Sequence, residues 1–268
     1  MKLSACPLKT LAGERGIPAL SPPDVNSADS VAAIRDLSPD LIVVAAYGQI
    51  LKPELLALPP QGCVNVHPSL LPRYRGAAPI PWAMANGDRV TGVTIIHMAK
   101  RMDAGDIILQ ERVNIEPEDT GGALHDKLAA VGAALLAKAV DAIAQGRAAR
   151  MPQAESDATY APKLTKEDGR MDWTKPATEL HNRVRAFNPW PCCHCAIPGR
   201  GALRVLKTAV EAAVGQPGEV LDVTGAGPVI AAGSGSLRLL EVQPEGGKIM
   251  TGSAYQNGHA LGKGDHLL

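Results

Sequence analysis

Aromatic side chains are nearly missing from this chain of 268 residues: one Phe, four Tyr and three Trp. The core must therefore be built from Leu, Val, Ile and Ala, and the 46% hydrophobic and 20% charged shares are those of a soluble globular protein. Net charge is missing too. Lys and Arg number 27 against 27 Asp and Glu, which argues against a general polyanion binder and leaves room for a local basic patch. No run approaches the ~18 apolar residues of a membrane span. The start, Met1-Lys2-Leu3-Ser4-Ala5-Cys6-Pro7, lacks the apolar centre of a signal peptide, so a cytoplasmic setting is expected. Repeats and low-complexity tracts are absent as well.

Cysteine occurs five times, an odd count, with Cys192, Cys193 and Cys195 close together around His194. That cluster invites a zinc reading. Adjacent strand residues point to opposite faces, however, and the two-residue spacer of zinc knuckles is absent. A strand with incidental thiols is the better reading, and no metal is expected.

The first half alternates helix-like and strand-like segments, the pattern of an α/β fold with an open, mostly parallel sheet. Pro7 to Arg15 and Ser27 to Asp36 read as short helices, the second with Ser27 or Asn26 as its N-cap. Asp40 to Tyr47 is a nearly continuous apolar run, as in a strand buried on both faces. Further strands are expected at Cys63 to His67, Gly92 to Met98 and Ile107 to Ile115, with a helix from Ala77 to Asn86. Thr120 can cap a long helix from about Ala123 to Gln145, carrying Leu124, Leu128, Val131, Leu135 and Ala139 at helical spacing. Arg147 to about Thr165 reads as a linker. Beyond it, short strands at Ala202 to Val210, Glu219 to Val223, Pro228 to Ala232 and Leu237 to Gln243 suggest a small barrel or sandwich.

Asn65 and His67 lie two apart at a strand end, so both side chains can address one group. Pro68 biases His67 toward extended geometry. In open α/β sheets ligands bind beyond the carboxyl ends of the strands, where Tyr47, Gly48 and Asn65 to Ser69 would lie. On its own such a pair more often caps or solvates a strand end than catalyses.

The continuation adds weight. His67-Pro68-Ser69-Leu70-Leu71-Pro72-Arg73-Tyr74-Arg75-Gly76-Ala77-Ala78-Pro79-Ile80 resembles the signature of the folate-dependent formyltransferases. Met102-Asp103-Ala104-Gly105-Asp106 resembles that family's second, acidic motif. Arg185-Ala186-Phe187-Asn188-Pro189-Trp190-Pro191 resembles the join into the C-terminal domain of its methionyl-tRNA branch. The resemblance implies a Rossmann-like catalytic domain over 1–146, a linker over 147–164 and an OB-like β-barrel over 165–268. It implies 10-formyltetrahydrofolate as donor and initiator methionyl-tRNA as acceptor, with neither metal nor membrane involved and a monomeric enzyme.

By resemblance, the Asn65 amide stabilises the oxyanion, His67 relays a proton or adds positive charge, and Asp103 orients His67 and raises its basicity. The Ser69, Leu70, Leu71 and Pro72 backbone contacts folate, and the loop after Tyr47 and Gly48 helps form the pteridine pocket. Arg73 and Arg75 either meet anionic parts of a substrate or are solvated. From Thr165 on, eleven Lys and Arg face ten Asp and Glu. Arg204, Lys207, Arg238 and Lys248 could line one face and meet tRNA phosphates, or be solvated. The other five histidines, His97, His125, His181, His259 and His266, are expected to be structural or exposed.

Two departures stand out. Family members open with a strand, a helix, a second strand and a tRNA-binding loop, and this chain opens after that point, so a βαβ-scale unit of roughly 30 or more residues is expected to be absent. Its neighbours in the sheet would then show unpaired backbone and apolar surface. Ala99 stands where an acidic residue is expected. Two alternatives stay open: a relative formylating an amino sugar or purine precursor, and a non-catalytic remnant binding RNA or folate.

Overall fold

The computed structural model describes residues 6–259 and 261–268; the Met1–Ala5 stretch read above for a signal peptide lies outside the described residues. The chain divides into two compact units, Met1–Cys63 and Val64–Leu268. In the first, α1 (Pro7–Glu14) begins on a proline, whose fixed φ suits a first turn. The Ser27 side chain caps α2 (Ala28–Asp36) by accepting from the Ser30 amide. β1 (Ile42–Ala45) and α3 (Pro53–Leu56) follow. Asn26 and Gln49 staple the loops between them: Asn26 accepts from the Lys52 amide at 2.7 Å and Gln49 from the Val25 amide at 2.9 Å. The expectation of a strand buried on both faces fails at β1, which alternates between half-buried and exposed residues, Val43 being 42% exposed. Among the described residues of this unit the large aliphatic side chains that are buried are Val31, Leu51 and Leu55. These are too few to cover both faces of the run.

The second unit opens within β2 (Cys63–His67) and continues through β3 (Arg75–Gly76), α4 (Pro79–Ala85), β4 (Val90–His97), β5 (Ile107–Asn114) and α5 (Gly121–Ala144). β4 pairs antiparallel with both β2 and β5. The α/β class expected from the alternation holds, but the parallel direction does not extend to these three strands. An apolar run such as β4, buried from Thr91 to His97, reports burial and not direction. Thr120 caps α5 as expected, its hydroxyl accepting from the Ala123 amide at 3.2 Å. Leu124, Leu128, Leu135 and Ala139 face inward. Gly132 lets this helix lie close on the sheet, since a Cβ there would stand 3.2 Å from Val66.

The segment read as a linker carries β6 (Tyr160–Ala161), which pairs parallel with β3 in the register Arg75↔Tyr160 and Gly76↔Ala161. Beyond it come α6 (Ala177–Ala186), β7 (Cys193–Ile197), β8 (Gly201–Glu211), β9 (Val220–Asp222), β10 (Val229–Ala231), β11 (Ser236–Pro244), β12 (Met250–Thr251) and α7 (Gly252–His259). The last sheet runs β7-β8-β11-β10-β9 with antiparallel pairings throughout. The final residues close it into a ring. Val220 donates to Asp265 and Leu267 to Gly218, while Ala196 of β7 exchanges two hydrogen bonds of 2.7 and 2.8 Å with Leu268. Cys193 and Cys195 face this interior and His194 does not, as strand alternation requires. Burial pushes both thiols up to about 12, so they stay protonated.

The stretch from Arg147 to Thr165 leaves the unit undivided because both sides grip each other. Trp82 on α4 meets Phe187 edge-to-face with centroids 5.9 Å apart, and Arg185 donates to the Glu116 and Asp119 carbonyls.

Candidate functional site

β2 presents Asn65 opposite Ile96 and His67 opposite Thr94 of β4. The two side chains therefore leave the sheet on the same face. The loop that follows is held by Thr94, whose buried hydroxyl donates to the Ser69 carbonyl at 2.6 Å and accepts from the Leu71 amide at 3.1 Å. Gln110 on β5 donates to the Leu71 carbonyl at 2.7 Å, and the Ser69 hydroxyl to the Arg73 carbonyl, also at 2.7 Å. Much of the Ser69–Pro72 backbone expected to meet folate is thus already shaped by internal bonds. Leu70 and Pro72 are half-buried, and Leu71 is in the core.

His67 is 3% exposed. Its Nε2 lies 2.9 Å from the Tyr74 carbonyl oxygen. A carbonyl only accepts, so Nε2 carries the proton and Nδ1 of the neutral ring is the bare nitrogen. Nδ1 faces the Asp103 carboxylate at 3.6 Å, too long for a hydrogen bond. Burial lowers the His67 pKa below its ordinary value, and Asp103 and the Tyr74 carbonyl only partly oppose that. The ring is therefore neutral at pH 7 and has a free lone pair. Asp103 acts in the expected direction, but burial outweighs it.

Asp103 arrives from the loop between β4 and β5. Its backbone has φ 51°, a left-handed conformation that Asp tolerates better than most residues. Gly105 makes the approach feasible, since a Cβ there would stand 1.7 Å from the His97 carbonyl oxygen. The Gly76 amide donates to Asp103 Oδ2 at 2.9 Å, and Asn65 Nδ2 stands 3.5 Å from Oδ1. The Asn65 contact is at the outer limit of a hydrogen bond and leaves that amide loosely held. Gly76 itself has φ 119°, and a Cβ would stand 2.6 Å from the Ala161 carbonyl oxygen of β6. Asn65, His67 and Asp103 thus form one cluster, with one neutral base, one amide donor and one carboxylate.

The other candidate residues scatter. Tyr47 and Gly48 belong to the first unit, where Tyr47 is exposed. Arg73 pairs with Asp88 at 2.9 Å on the surface. Arg75 is neither solvated nor available to a substrate. It is 1% exposed, with its guanidinium donating to Gln153 and Glu155. Sequence patterns do not show such burial, because Gln153, which accepts from Arg75, and Glu155, which neutralises it, lie 78 and 80 positions downstream. In the barrel, Arg204 and Lys207 are both exposed despite being three apart, because the β8–β11 ladder bulges between them. Lys207 pairs with Glu118 at 3.1 Å. Arg238 is engaged by Glu211, Asp222 and two carbonyls, which leaves it ill suited to a phosphate. Lys248 is exposed. Among the described residues no three His, Cys, Asp or Glu side chains are grouped to hold a metal, and no helix is long and apolar enough to cross a membrane.

Sequence reasoning missed Thr94, Gln110, Thr159 and Gln153. Each is a single polar residue without a local pattern. Thr159, for example, accepts from the Tyr74 amide at 2.8 Å and so shapes the turn that holds His67.

The Formyl transferase family matches residues 5–140, and its C-terminal domain matches residues 163–260. A methionyl-tRNA formyltransferase of Moorella thermoacetica is 46% identical over 267 residues, which span 99% of this chain and 86% of that protein. One of Geobacter metallireducens is 41% identical over 266 residues, 99% and 85% respectively. The fold is also similar to HypX from Aquifex aeolicus, crystallised with tetrahydrofolic acid. That likeness has a TM-score of 0.63 at 21% identity, and covers 84% of this chain and 40% of the longer HypX.

Proposed function

The chain belongs to the methionyl-tRNA formyltransferases, a family of formyl-transferring enzymes, and from that premise we propose that Asn65, His67 and Asp103 carry the transfer. The donor is 10-formyltetrahydrofolate and the acceptor is the amino group of initiator methionyl-tRNA, in the cytoplasm, with the enzyme acting as a monomer. The observation that supports this best is the convergence of the Asp103 carboxylate on Asn65 at 3.5 Å and on His67 at 3.6 Å.

The amine attacks the formyl carbon, and the carbonyl oxygen becomes an oxyanion. An Asn amide has two N–H donors. One of those on Asn65 faces Asp103, and the other donates to the oxyanion. His67 Nδ1, bare in the neutral ring, takes the proton shed by the amine, and the imidazolium then lies against Asp103. As the tetrahedral intermediate collapses, the bond from the formyl carbon to folate N10 breaks and that proton passes to N10. The products are a formylated amine and tetrahydrofolate. The loop from Ser69 to Pro72 lines the donor side, over the organisation 1–146, 147–164 and 165–268, with the middle segment braced against the site and not a passive tether.

Formylation of charged initiator tRNA, assayed beside an amino sugar and a purine-precursor amine, tests the reading. Formyl-methionyl-tRNA is expected as the product, and His67→Ala is expected to slow its formation by about 10²–10⁴-fold. A sugar amine as the only acceptor would overturn the acceptor, and an equally active His67→Ala would overturn the site.

A further inference from the structure

Gln153 lies in the middle of the segment read as a linker, half-buried, and all four hydrogen-bonding positions of its amide are taken. Its Oε1 accepts from Arg75 Nε at 3.1 Å and Nη2 at 2.9 Å. Its Nε2 donates to the Asp103 carbonyl at 2.7 Å and the Gly105 carbonyl at 2.8 Å. The orientation admits no flip, because a guanidinium only donates and a carbonyl only accepts. The Arg75 side is locked in turn by Glu155, both carboxylate oxygens of which lie 3.1 Å from Nη1. The neighbour of Arg75, Gly76, donates its amide to the Asp103 carboxylate. A closed ring results: Arg75, Gln153, the Asp103 backbone, the Asp103 carboxylate and Gly76.

We infer that Gln153 is the positioning residue that holds Asp103 against His67, joining the two sequence motifs of the site through a third segment. The inference rests on the reading of Asp103 given above. Asp103 sits in a left-handed conformation on a turn, and such a residue persists only when its surroundings over-determine it. Gln153 grips the backbone on both sides of Ala104, and the Gly76 amide grips the carboxylate.

Gln153→Glu separates this role from a general structural one. The substitution preserves shape and strengthens the pairing to Arg75, but it turns two acceptor carbonyls toward a carboxylate that cannot donate to them. The expected result is a folded protein whose kcat for formylation falls by about 10–100-fold, with KM for the folate donor within about twofold of native. The carboxylate charge raises the His67 pKa. Its withdrawal therefore moves the acid limb of the pH–rate profile to lower pH, read in Gln153→Met, which adds no charge of its own. A kcat unchanged in a folded Gln153→Glu, or a limb unchanged in a folded Gln153→Met, overturns the inference. Gln153→Met, which also removes the donor, is the companion variant, and loss of fold in both assigns Gln153 to structure alone and likewise overturns it. Asp103→Asn runs in parallel. If it is severe while Gln153→Glu is silent, only the positioning role fails; if it is silent too, the reading of the site fails with it.

Discussion

Around His67, polar side chains go inside: His67, Ser69, Arg75 and Thr94 are each at most 3% exposed, and each is hydrogen-bonded, Arg75 and Thr94 to a segment other than their own. Within the C-terminal ring the interior is mainly aliphatic, with the Cys193 and Cys195 thiols and the Thr208 and Ser236 hydroxyls as its small polar exceptions. Leu203, Val205, Leu237, Leu239 and Val242 are fully buried there, while Arg204, Lys207 and Lys248 stay on the surface. The two regions sit in one compact unit and are specified by different physics. Apolar packing tolerates exchange of like for like. A buried polar network fails as a whole when one member loses its partner. The reacting groups lie in the second kind of environment, where geometry is held tightly.

The contrast can be broken from the polar side first. Arg75→Met leaves Gln153 without its donors, and should cost about 2–3 kcal/mol in denaturant unfolding. Formylation should fall with it, because the same residues brace Asp103. A stability loss within error of zero would mean that the network is ornamental. On the apolar side, Leu267, 3% exposed at the seam of the ring, is the sharper probe. Leu267→Ala should cost about 2 kcal/mol through the cavity it leaves, with kcat nearly unchanged. A large fall in kcat at unchanged stability would link the seam to the site. The smallest effect belongs to the surface. Arg204→Ala with Lys248→Ala should weaken tRNA binding by a few fold and reduce the salt slope of log affinity by up to about 2, with no change in stability. An unaltered slope would remove the barrel cations from the tRNA contact.

Legibility in the sequence follows the same division. α5 could be placed because its cap Thr120 and its apolar stripe are local signals, and β2, β4 and β5 because short apolar stretches, alternating in β5, mark strands. Strand direction could not be read, since a run buried on both faces looks alike in parallel and antiparallel ladders. At β1 the apolar run shows a need for cover without showing whether cover is there, and its exposed residues go against the reading of a strand buried on both faces. The helix α6 had a signal that went unread, with Leu180 and Val184 at helical spacing. Closure of the ring by Asp265, Leu267 and Leu268 had none, as a short tail has no period. At the site, Asn65, His67 and Asp103 were found through motifs, whereas Gln153 acquires meaning only when Arg75 and Asp103 are brought to either side of it.

His67 is a neutral base with its proton on Nε2, and nitrogen-resolved NMR of the labelled imidazole across pH reads that directly. The predicted result is an Nε2–H ring at pH 7 that titrates below the ordinary 6.5, with the midpoint falling further in Asp103→Asn, where the charge that opposes burial is gone. A proton resting on Nδ1, or a midpoint above 6.5, would contradict it.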